Sequence, residues 1–217
     1  MTCYYFTEFD KVNDDVYRHW LERVPEFRRR LALSFQRRQD ALLSLASYLL
    51  LERALSIHGL VFYWNEFAKP YLTPLLSRGG PPFFNLSHTE GMAFCVVAET
   101  EVGGDVERIA DVNNEIIETI CTPNEKWFLN HSETPEYHLT RFWVLKESYF
   151  KALGCGLSLD PKSVDFSDSF PQGYTFETVS DISGYVAAVC RHGSQAASHW
   201  INVCLEDLSE WKRTGSA

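Results

Sequence analysis

The sequence has no surplus of basic residues. It contains 20 lysines and arginines against 29 aspartates and glutamates, so its formal net charge is −9. Proteins that bind nucleic acid usually carry a positive surplus, because they neutralise backbone phosphates. The balance therefore argues against a nucleic-acid partner, although a local basic cluster inside an acidic protein can still bind a phosphate.

Long apolar segments and paired cysteines are also missing. No apolar run approaches the length of about 20 residues that a membrane-spanning helix needs. Residues 1–10 carry acidic side chains and no basic region, which is unlike a secretory signal. The 6 cysteines contain no Cys-x-x-Cys pair, so zinc-site spacing is absent. We therefore expect reduced cysteines, a cytoplasmic location and no membrane partner.

Apolar and aromatic residues are plentiful. Hydrophobic residues make up 45% of the chain and aromatic residues 14%, which is enough for one large packed domain or two small ones. Helical spacing of apolar residues predicts long helices over 37–55 and 137–153, each followed by several short strands with tight turns. The predicted strands include 92–98, 102–106 and 200–206, whereas Lys69 and Pro70 are typical of a loop. This order predicts an α+β protein. We expect two similar halves with pseudo-twofold symmetry, 1–105 and 106–217, each a long helix packed on a small, mainly antiparallel sheet.

Two acidic residues alternate on the strand predicted near residues 102–106. Alternate side chains of a strand face the same way, so Asp105 and Glu107 project together. Two carboxylates this close repel each other unless a cation or a proton lies between them, and oxygen ligands suit Mg²⁺. The spacing also fits a solvated strand end, and taken alone it favours that plainer interpretation because Asp-x-Glu is common.

Glu147 and Lys151 lie four residues apart on the second predicted long helix, so they are neighbours on one side of it. One interpretation is a surface salt bridge worth a few tenths of a kcal/mol. The other is a third metal ligand beside a lysine that binds phosphate.

Three further polar residues are candidates for phosphate binding. Ser87 and His88 end a predicted strand and both can hydrogen-bond a phosphate oxygen. Lys69 is a mobile point charge that can meet a phosphate. Taken alone, His88 also fits a structural histidine of a loop, and Lys69 fits an ordinary surface lysine.

The order of these segments is more specific than any one of them. The chain reads Lys-Pro-Tyr at 69–71, Phe-Asn-Leu-Ser-His at 84–88 and Gly-x-Asp-x-Glu at 103–107. It continues with Trp-x-x-Lys-Glu-Ser-x-x-Lys-Ala-x-Gly-x-Gly-Leu-Ser at 143–158. Together these motifs resemble the 4′-phosphopantetheinyl transferase superfamily, in its surfactin-synthetase-activator type of two similar halves. The resemblance covers roughly residues 25–159.

The resemblance implies an enzyme that moves the phosphopantetheine arm of coenzyme A onto a serine of an apo carrier protein. It implies a monomer with coenzyme A in the cleft between the halves. Asp105, Glu107 and Glu147 match the ligands of Mg²⁺, with Mn²⁺ as an alternative ion. Adenosine 3′,5′-bisphosphate would be the second product. The type of carrier, whether acyl, polyketide or peptidyl, stays open.

The resemblance also assigns catalytic roles to two side chains of the second long helix. Lys151 matches the lysine that contacts the pyrophosphate of coenzyme A. Glu147 is our candidate for the base that accepts the serine proton, directly or through a water molecule.

Further residues match groups that bind the coenzyme A phosphates. Ser87 and His88 match groups beside them, and Lys69 matches a lysine at the nucleotide end. The basic cluster that meets the 3′-phosphate aligns only approximately, with Arg28 and Arg30 as its counterparts here.

The sequence departs from the family pattern at two positions. Gly104 stands where the family usually has Ile or Val, so we expect a looser strand and slightly shifted carboxylates. Leu43 stands where the family usually has an arginine. Arg37 and Arg38 are both candidates to replace it.

Three alternatives compete with the transferase interpretation. A non-catalytic module that binds coenzyme A or a carrier would keep the fold without turnover. A metal-dependent phosphohydrolase would use the same carboxylates without a protein acceptor. A structural α+β domain would require both long motifs to match by accident. Family analogy also suggests an apolar carrier-docking patch over residues 121–128.

Overall fold

The structure is a computed structural model that describes residues 1–73, 82–180, 182–193 and 197–210. Its helices are α1 (Asp14–Arg23), α2 (Glu26–Ser34), α3 (Arg38–Leu55), α4 (Asn114–Ile120), α5 (Pro123–Asn130), α6 (Pro135–Leu153) and α7 (Leu205–Glu210). Its strands are β1 (Thr2–Phe6), β2 (Phe62–Trp64), β3 (Pro70–Leu72), β4 (Phe83–Thr89), β5 (Met92–Ala98), β6 (Val102–Arg108), β7 (Tyr174–Val179), β8 (Tyr185–His192) and β9 (His199–Asn202).

The first sheet has the strand order β4-β5-β1-β9. Its pairs are antiparallel except β1 with β9, which run parallel. Helix α3 packs on this sheet and is buried on every side from Ala41 to Glu52. A helix that is apolar all round belongs in a core, which explains why α3 lies at the centre of the largest hydrophobic cluster.

The second sheet has the order β6-β8-β7 and is antiparallel throughout. Helix α6 packs across β6 and β8. It ends as predicted at Gly154, whose φ of 75° is the left-handed conformation that closes many helices. The two acidic positions of β6 are therefore held between a paired strand and a long helix.

The α+β prediction is confirmed, because helices pack on small, mainly antiparallel sheets. Strand β9 comes from the end of the chain yet completes the first sheet beside β1. Residues 211–217 of the second predicted half lie outside the described residues. In the described part of the chain, no helix combines the length and apolarity that crossing a membrane requires.

Two local predictions near the termini need correction. Helix α1 was not predicted, although Asn13 caps it by accepting hydrogen bonds from two backbone amides. The final strand was predicted to continue to residue 206, but it ends at Asn202. Helix α7 starts at Leu205, whose backbone amide donates to Glu8 Oε2 at 2.8 Å, and this contact turns the chain out of the sheet.

Candidate active site at the junction of β6 and α6

Gly103 brings the backbones of β6 and α6 into direct contact. A Cβ atom at this position would overlap the carbonyl oxygen of Ser148 and the amide nitrogen of Ala152. Only glycine lets the helix approach the strand this closely. The approach places Lys151 and Glu147 of α6 beside Asp105 of β6.

Gly104 faces the opposite way, towards the first sheet. A Cβ atom here would lie 2.6 Å from Phe94 Cε1 and 2.9 Å from Val96 Cγ1. The Phe94 ring, stacked on Trp200 with ring centres 5.5 Å apart, therefore fills the space that a side chain at 104 would need. We expected Gly104 to loosen the strand. Instead β6 stays paired through Gly104 with Val189 of β8.

Replacing Gly104 by valine is expected to destabilise the fold by about 1–3 kcal/mol, because the new methyl groups overlap the Phe94 ring. Shortening Phe94 to leucine in the same protein should recover part of that loss. Urea unfolding of the two single variants and the double variant measures the coupling. Purely additive losses would show that Gly104 and Phe94 do not share this space.

Asp105 is the most enclosed of the candidate metal ligands, with 3% of its surface exposed. Its Oδ1 atom accepts a hydrogen bond from Ser87 Oγ at 2.7 Å and from Lys151 Nζ at 2.6 Å. Its Oδ2 atom is buried and has no hydrogen-bond donor among the described residues. One oxygen of this carboxylate is therefore satisfied and the other is available to a ligand.

Glu107 and Glu147 complete a set of three mutually interacting carboxylates. Burial raises the pKa of Glu107, and the negative charge of Asp105 raises it further. Burial also raises the pKa of Glu147, Lys151 opposes that rise, and Asp105 and Glu107 add to it. Glu147 Oε1 is buried without a donor in the described part of the chain, and Oε2 lies 3.8 Å from Lys151 Nζ.

The three carboxylates are chemically suited to a hard cation, but their side chains are not arranged around one position. Among residues 1–73, 82–180, 182–193 and 197–210, no group of three His, Cys, Asp or Glu side chains is arranged around a common metal position. The Lys151 ammonium group instead neutralises Asp105. Mg²⁺ takes an all-oxygen ligand set. Two buried carboxylate oxygens, which have no hydrogen-bond donor in the part of the chain that the structure describes, are available to it.

Ser87 lines the same site, near the end of β4, whereas the neighbouring His88 lines a separate cavity with Arg37 and Leu43. Ser87 Oγ lies 3.3 Å from Lys151 Nζ as well as against Asp105. The His88 side chain is exposed. Desolvation lowers the pKa of its imidazole, and the positive charges of Lys151 and Arg28 lower it further. The sequence-predicted residues Ser87 and Lys151 are thus in contact, and His88 lies close enough for the charge of Lys151 to act on its imidazole.

The two candidate arginines of α2 lie in different environments. Arg28 is partly buried, donates from Nη1 to Ser44 Oγ at 3.2 Å and lies 5.0 Å from the ring centre of Tyr48. Its buried Nε atom has no acceptor among the described residues. Arg30 is 79% exposed and pairs with Glu26 at 2.8 Å. Of the two, Arg28 is the arginine whose charge lowers the pKa of His88.

Arg37 and Arg38, the two candidates to replace the missing arginine, also lie in different environments. A cavity of about 290 Å³ is lined by Leu43, Arg37 and His88. Arg38 is instead paired with Asp14 at 2.6 Å and lies over the ring of Tyr17. Arg37 is the arginine that shares a cavity with Leu43.

Lys69 is placed by a different set of contacts. It is buried, and its ammonium group donates to Glu101 Oε2 at 2.8 Å, Val102 O at 3.3 Å and Ala152 O at 3.5 Å. It shares none of its hydrogen-bond partners with Ser87 or Lys151.

Sequence analysis missed the role of Lys146, the motif residue next to Glu147. Its side chain is fully buried and pairs with the equally buried Glu125 at 2.8 Å. It also donates to the carbonyl oxygens of Ile120, Pro161 and Val164. A lysine inside an otherwise apolar helix face was the available signal, because a buried lysine requires partners.

A larger cleft of about 570 Å³ opens beside Glu107 and runs along α4. Its lining includes Trp143, Ile116, Ile120 and Leu139. At the mouth of this cleft the Thr89 hydroxyl and the Trp143 indole interact with Glu107 and partly offset the rise of its pKa. Neither neighbour was predicted from the sequence.

Of the predicted docking segment 121–128, Cys121 is buried, whereas Trp127 is 64% exposed and stacks on His131. Trp127 is therefore the residue of this segment that offers the most apolar surface to a partner.

Comparison with known proteins gives one family. A family model described as the 4′-phosphopantetheinyl transferase superfamily matches residues 101–209, just over half of the chain. The 4′-phosphopantetheinyl transferase gsp of Aneurinibacillus migulanus is 28% identical over 162 residues, covering 69% of this chain and 65% of that protein. The 4′-phosphopantetheinyl transferase Sfp of Bacillus subtilis (strain 168) is 28% identical over 146 residues, covering 59% of this chain and 62% of that protein.

The match therefore spans slightly less than two thirds of these curated relatives. A solved structure, the holo-[acyl-carrier-protein] synthase AcpS of Thermotoga maritima, is 22% identical. It superposes with a TM-score of 0.38 over 44% of this chain and 64% of the synthase.

Proposed function

This chain belongs to the 4′-phosphopantetheinyl transferase superfamily, and we propose that it transfers the phosphopantetheine arm of coenzyme A to a serine of an apo carrier protein. The observation that carries the proposal is the convergence of Asp105, Glu107, Glu147 and Lys151 where α6 crosses β6. Three half-buried or buried carboxylates beside one lysine form a site that gains from binding a cation and a phosphate together.

Asp105, Glu107 and Glu147 would hold Mg²⁺ or Mn²⁺ through their carboxylate oxygens. Bound there, the ion supplies charge neutralisation at the pyrophosphate of coenzyme A. Asp105 Oδ2 and Glu147 Oε1, which have no donor among the described residues, support this assignment, since a buried carboxylate oxygen without a partner is costly.

The remaining side chains bind, orient and accept a proton. Lys151 and His88 bind the pyrophosphate oxygens, and Ser87 fixes Lys151 and Asp105 relative to each other. The carrier serine oxygen attacks the phosphorus atom that bears the pantetheine arm, and the bond from this phosphorus to the bridging oxygen of the pyrophosphate breaks. Glu147 accepts the serine proton, a role that its raised pKa supports. Adenosine 3′,5′-bisphosphate leaves with the bridging oxygen.

The nucleotide end of coenzyme A lies towards α2 and the start of α3. Arg28 contributes a partly buried guanidinium whose Nε atom has no acceptor among the described residues, and Arg37 contributes the charge that Leu43 lacks. Arg30, which is 79% exposed and paired with Glu26, would meet a phosphate only after leaving that pair.

Replacing Arg37 by alanine is expected to raise KM for coenzyme A about tenfold, because one charge-assisted contact to a phosphate is worth about 1.5 kcal/mol. Replacing Arg38, whose guanidinium is paired with Asp14, by alanine should change KM less than about twofold. Steady-state transfer assays with varied coenzyme A compare the two variants. Equal effects at both positions would reject Arg37 as the substitute for the missing arginine.

The proposal extends to the architecture and setting of the protein. The two halves, 1–105 and 106–217, would be related by a pseudo-twofold axis with coenzyme A in the cleft between them. Contact of Gly104 with the first sheet and of Gly103 with α6 supports a site at this boundary. A monomer in the cytoplasm is proposed as well, where the six free cysteines would stay reduced.

The carrier protein would dock at the apolar cleft beside Glu107 and make a further contact with exposed Trp127. This position would bring the carrier serine to the three carboxylates.

Intact-mass analysis of an apo carrier protein tests the proposed function. The carrier is incubated with this protein, coenzyme A and Mg²⁺, and parallel samples contain a chelator or lack the protein. We expect the carrier to gain one phosphopantetheine group in the complete mixture alone. If acyl, polyketide and peptidyl carriers all stay unmodified although coenzyme A binds, the protein is a non-catalytic binding module. Release of free phosphopantetheine without a carrier would indicate a phosphohydrolase.

A further inference from the structure

Asn65 organises the conformation of the loop between β2 and β3, residues 65–69. Its Oδ1 atom accepts hydrogen bonds from the backbone amides of Phe67 at 3.1 Å and Lys69 at 2.8 Å. Ala68 adopts a left-handed conformation with φ of 61°, which is unfavourable for a non-glycine residue. Such a conformation persists where surrounding contacts determine it, and here the Asn65 bonds do so.

The same loop reaches the two elements that carry the candidate active site. Asn65 Nδ2 donates to the carbonyl oxygen of Gly154, the residue that ends α6, at 2.8 Å. Lys69 Nζ bridges the Ala152 carbonyl in the last turn of α6 and the Val102 carbonyl at the first residue of β6. One loop therefore ties the end of the helix to the start of the strand.

The Lys69 ammonium group is fully engaged in this bridge. It has three hydrogens, and Glu101, Val102 and Ala152 supply three acceptors. Only 7% of the side chain is exposed, and its Nζ atom lies 5.3 Å from the ring centre of Tyr71. Binding a phosphate would require Lys69 to give up one of these bonds.

The bridge lies close to the reacting side chains along both elements. Lys151 directly precedes Ala152, and Asp105 follows Val102 by three residues. The helix and strand are in backbone contact at Gly103, so a shift at the bridge is transmitted to the Lys151–Asp105 pair. A misplacement of about 1 Å at catalytic groups can cost up to about a hundredfold in rate.

We propose that Asn65 and Lys69 are positioning residues, which clamp the end of α6 to the start of β6 and so fix Lys151 against Asp105. This assignment gives Lys69 a role in the clamp instead of the nucleotide contact that the family resemblance implies. Its effect on turnover rests on the proposed transferase function, whereas its effect on α6 does not.

Two variants and one control test the clamp. In Asn65→Asp, Oδ1 still accepts both loop hydrogen bonds, but an oxygen replaces the donor that faces Gly154. Lys69→Met removes the bridge and leaves Glu101, which is 39% exposed, in contact with solvent. Glu66→Gln changes an exposed residue of the same loop.

Three measurements are made on each variant. Hydrogen exchange measures the exchange rates of the backbone amides of residues 150–155. Calorimetry gives Kd for adenosine 3′,5′-bisphosphate, and transfer assays give kcat and KM. In both clamp variants, exchange at 150–155 should accelerate about tenfold or more, since a lost hydrogen bond is worth about 1.4 kcal/mol. Kd and KM should stay within about twofold, while kcat falls about tenfold. Glu66→Gln should match the parent protein throughout.

Two results would overturn the proposal. Weaker binding of adenosine 3′,5′-bisphosphate to Lys69→Met, by about tenfold and with unchanged exchange, would make Lys69 a nucleotide contact. Unchanged exchange in Asn65→Asp would show that the loop does not hold α6. If the parent protein modifies no carrier, the proposed function fails, and hydrogen exchange alone then decides whether the clamp exists.

Discussion

Replacing Glu147 by glutamine is expected to slow carrier modification by about 10²–10⁴-fold while leaving the fold intact. The change removes both the proposed proton acceptor and one of three proposed metal ligands. The pKa of Glu147 is raised by burial and by its two acidic neighbours, so its charge opposes folding. The glutamine variant should therefore unfold at the same temperature as the parent protein or at a higher one.

Intact-mass time courses measure this rate, and thermal unfolding checks the fold. Glu206→Gln is the matched control, because Glu206 is exposed on α7, far along the chain from the three carboxylates. A Glu147→Gln protein that keeps more than about a tenth of the parent rate would remove Glu147 from the catalytic set.

Replacing Lys146 by methionine is expected to lower the free energy of unfolding by about 3–5 kcal/mol. The substitution leaves the Glu125 carboxylate, which is fully buried, without its counter-charge. It also leaves three backbone carbonyls, from Ile120, Pro161 and Val164, without their donor.

Adding Glu125→Gln to Lys146→Met should recover part of this loss. The glutamine oxygen can still accept a hydrogen bond from Thr122 or Phe166, and no buried charge remains. Chemical denaturation of the single and double variants measures both values. A loss below about 1 kcal/mol for Lys146→Met would contradict the view that this ion pair holds α4, α5 and α6 together.

The parts of the fold that local chemistry controls were predictable from the sequence. Strand β5 matches its predicted bounds, and α6 ends at Gly154 because glycine adopts the required positive φ. Strand β3 was missed, because Pro70 and its neighbours read as a loop and only pairing with β2 makes them a strand. The parallel pairing of β9 with β1 joins residues about 200 positions apart, and no local pattern encodes it.

The candidate site was predictable as a set of residues but not as a geometry. Alternation on β6 and helical spacing on α6 paired Asp105 with Glu107 and Glu147 with Lys151, but only the family resemblance of the ordered motifs joined the two pairs into one site. The spacing could not reveal that Lys151 lies on Asp105, because that contact depends on how α6 crosses β6. The filling of the Gly104 position by Phe94 likewise depends on the packing of two sheets, which one sequence does not show.

The central claim is that Asp105, Glu107 and Glu147 act as one metal-binding set although Lys151 neutralises Asp105. Titration of Mn²⁺ followed by electron paramagnetic resonance tests it, with saturating coenzyme A and with a coenzyme A blank. The account predicts one Mn²⁺ bound per chain beyond the blank. It also predicts affinity lowered about tenfold or more in Asp105→Asn and Glu107→Gln, and parent-like binding in Glu206→Gln. Parent-like Mn²⁺ binding in the two site variants would contradict it.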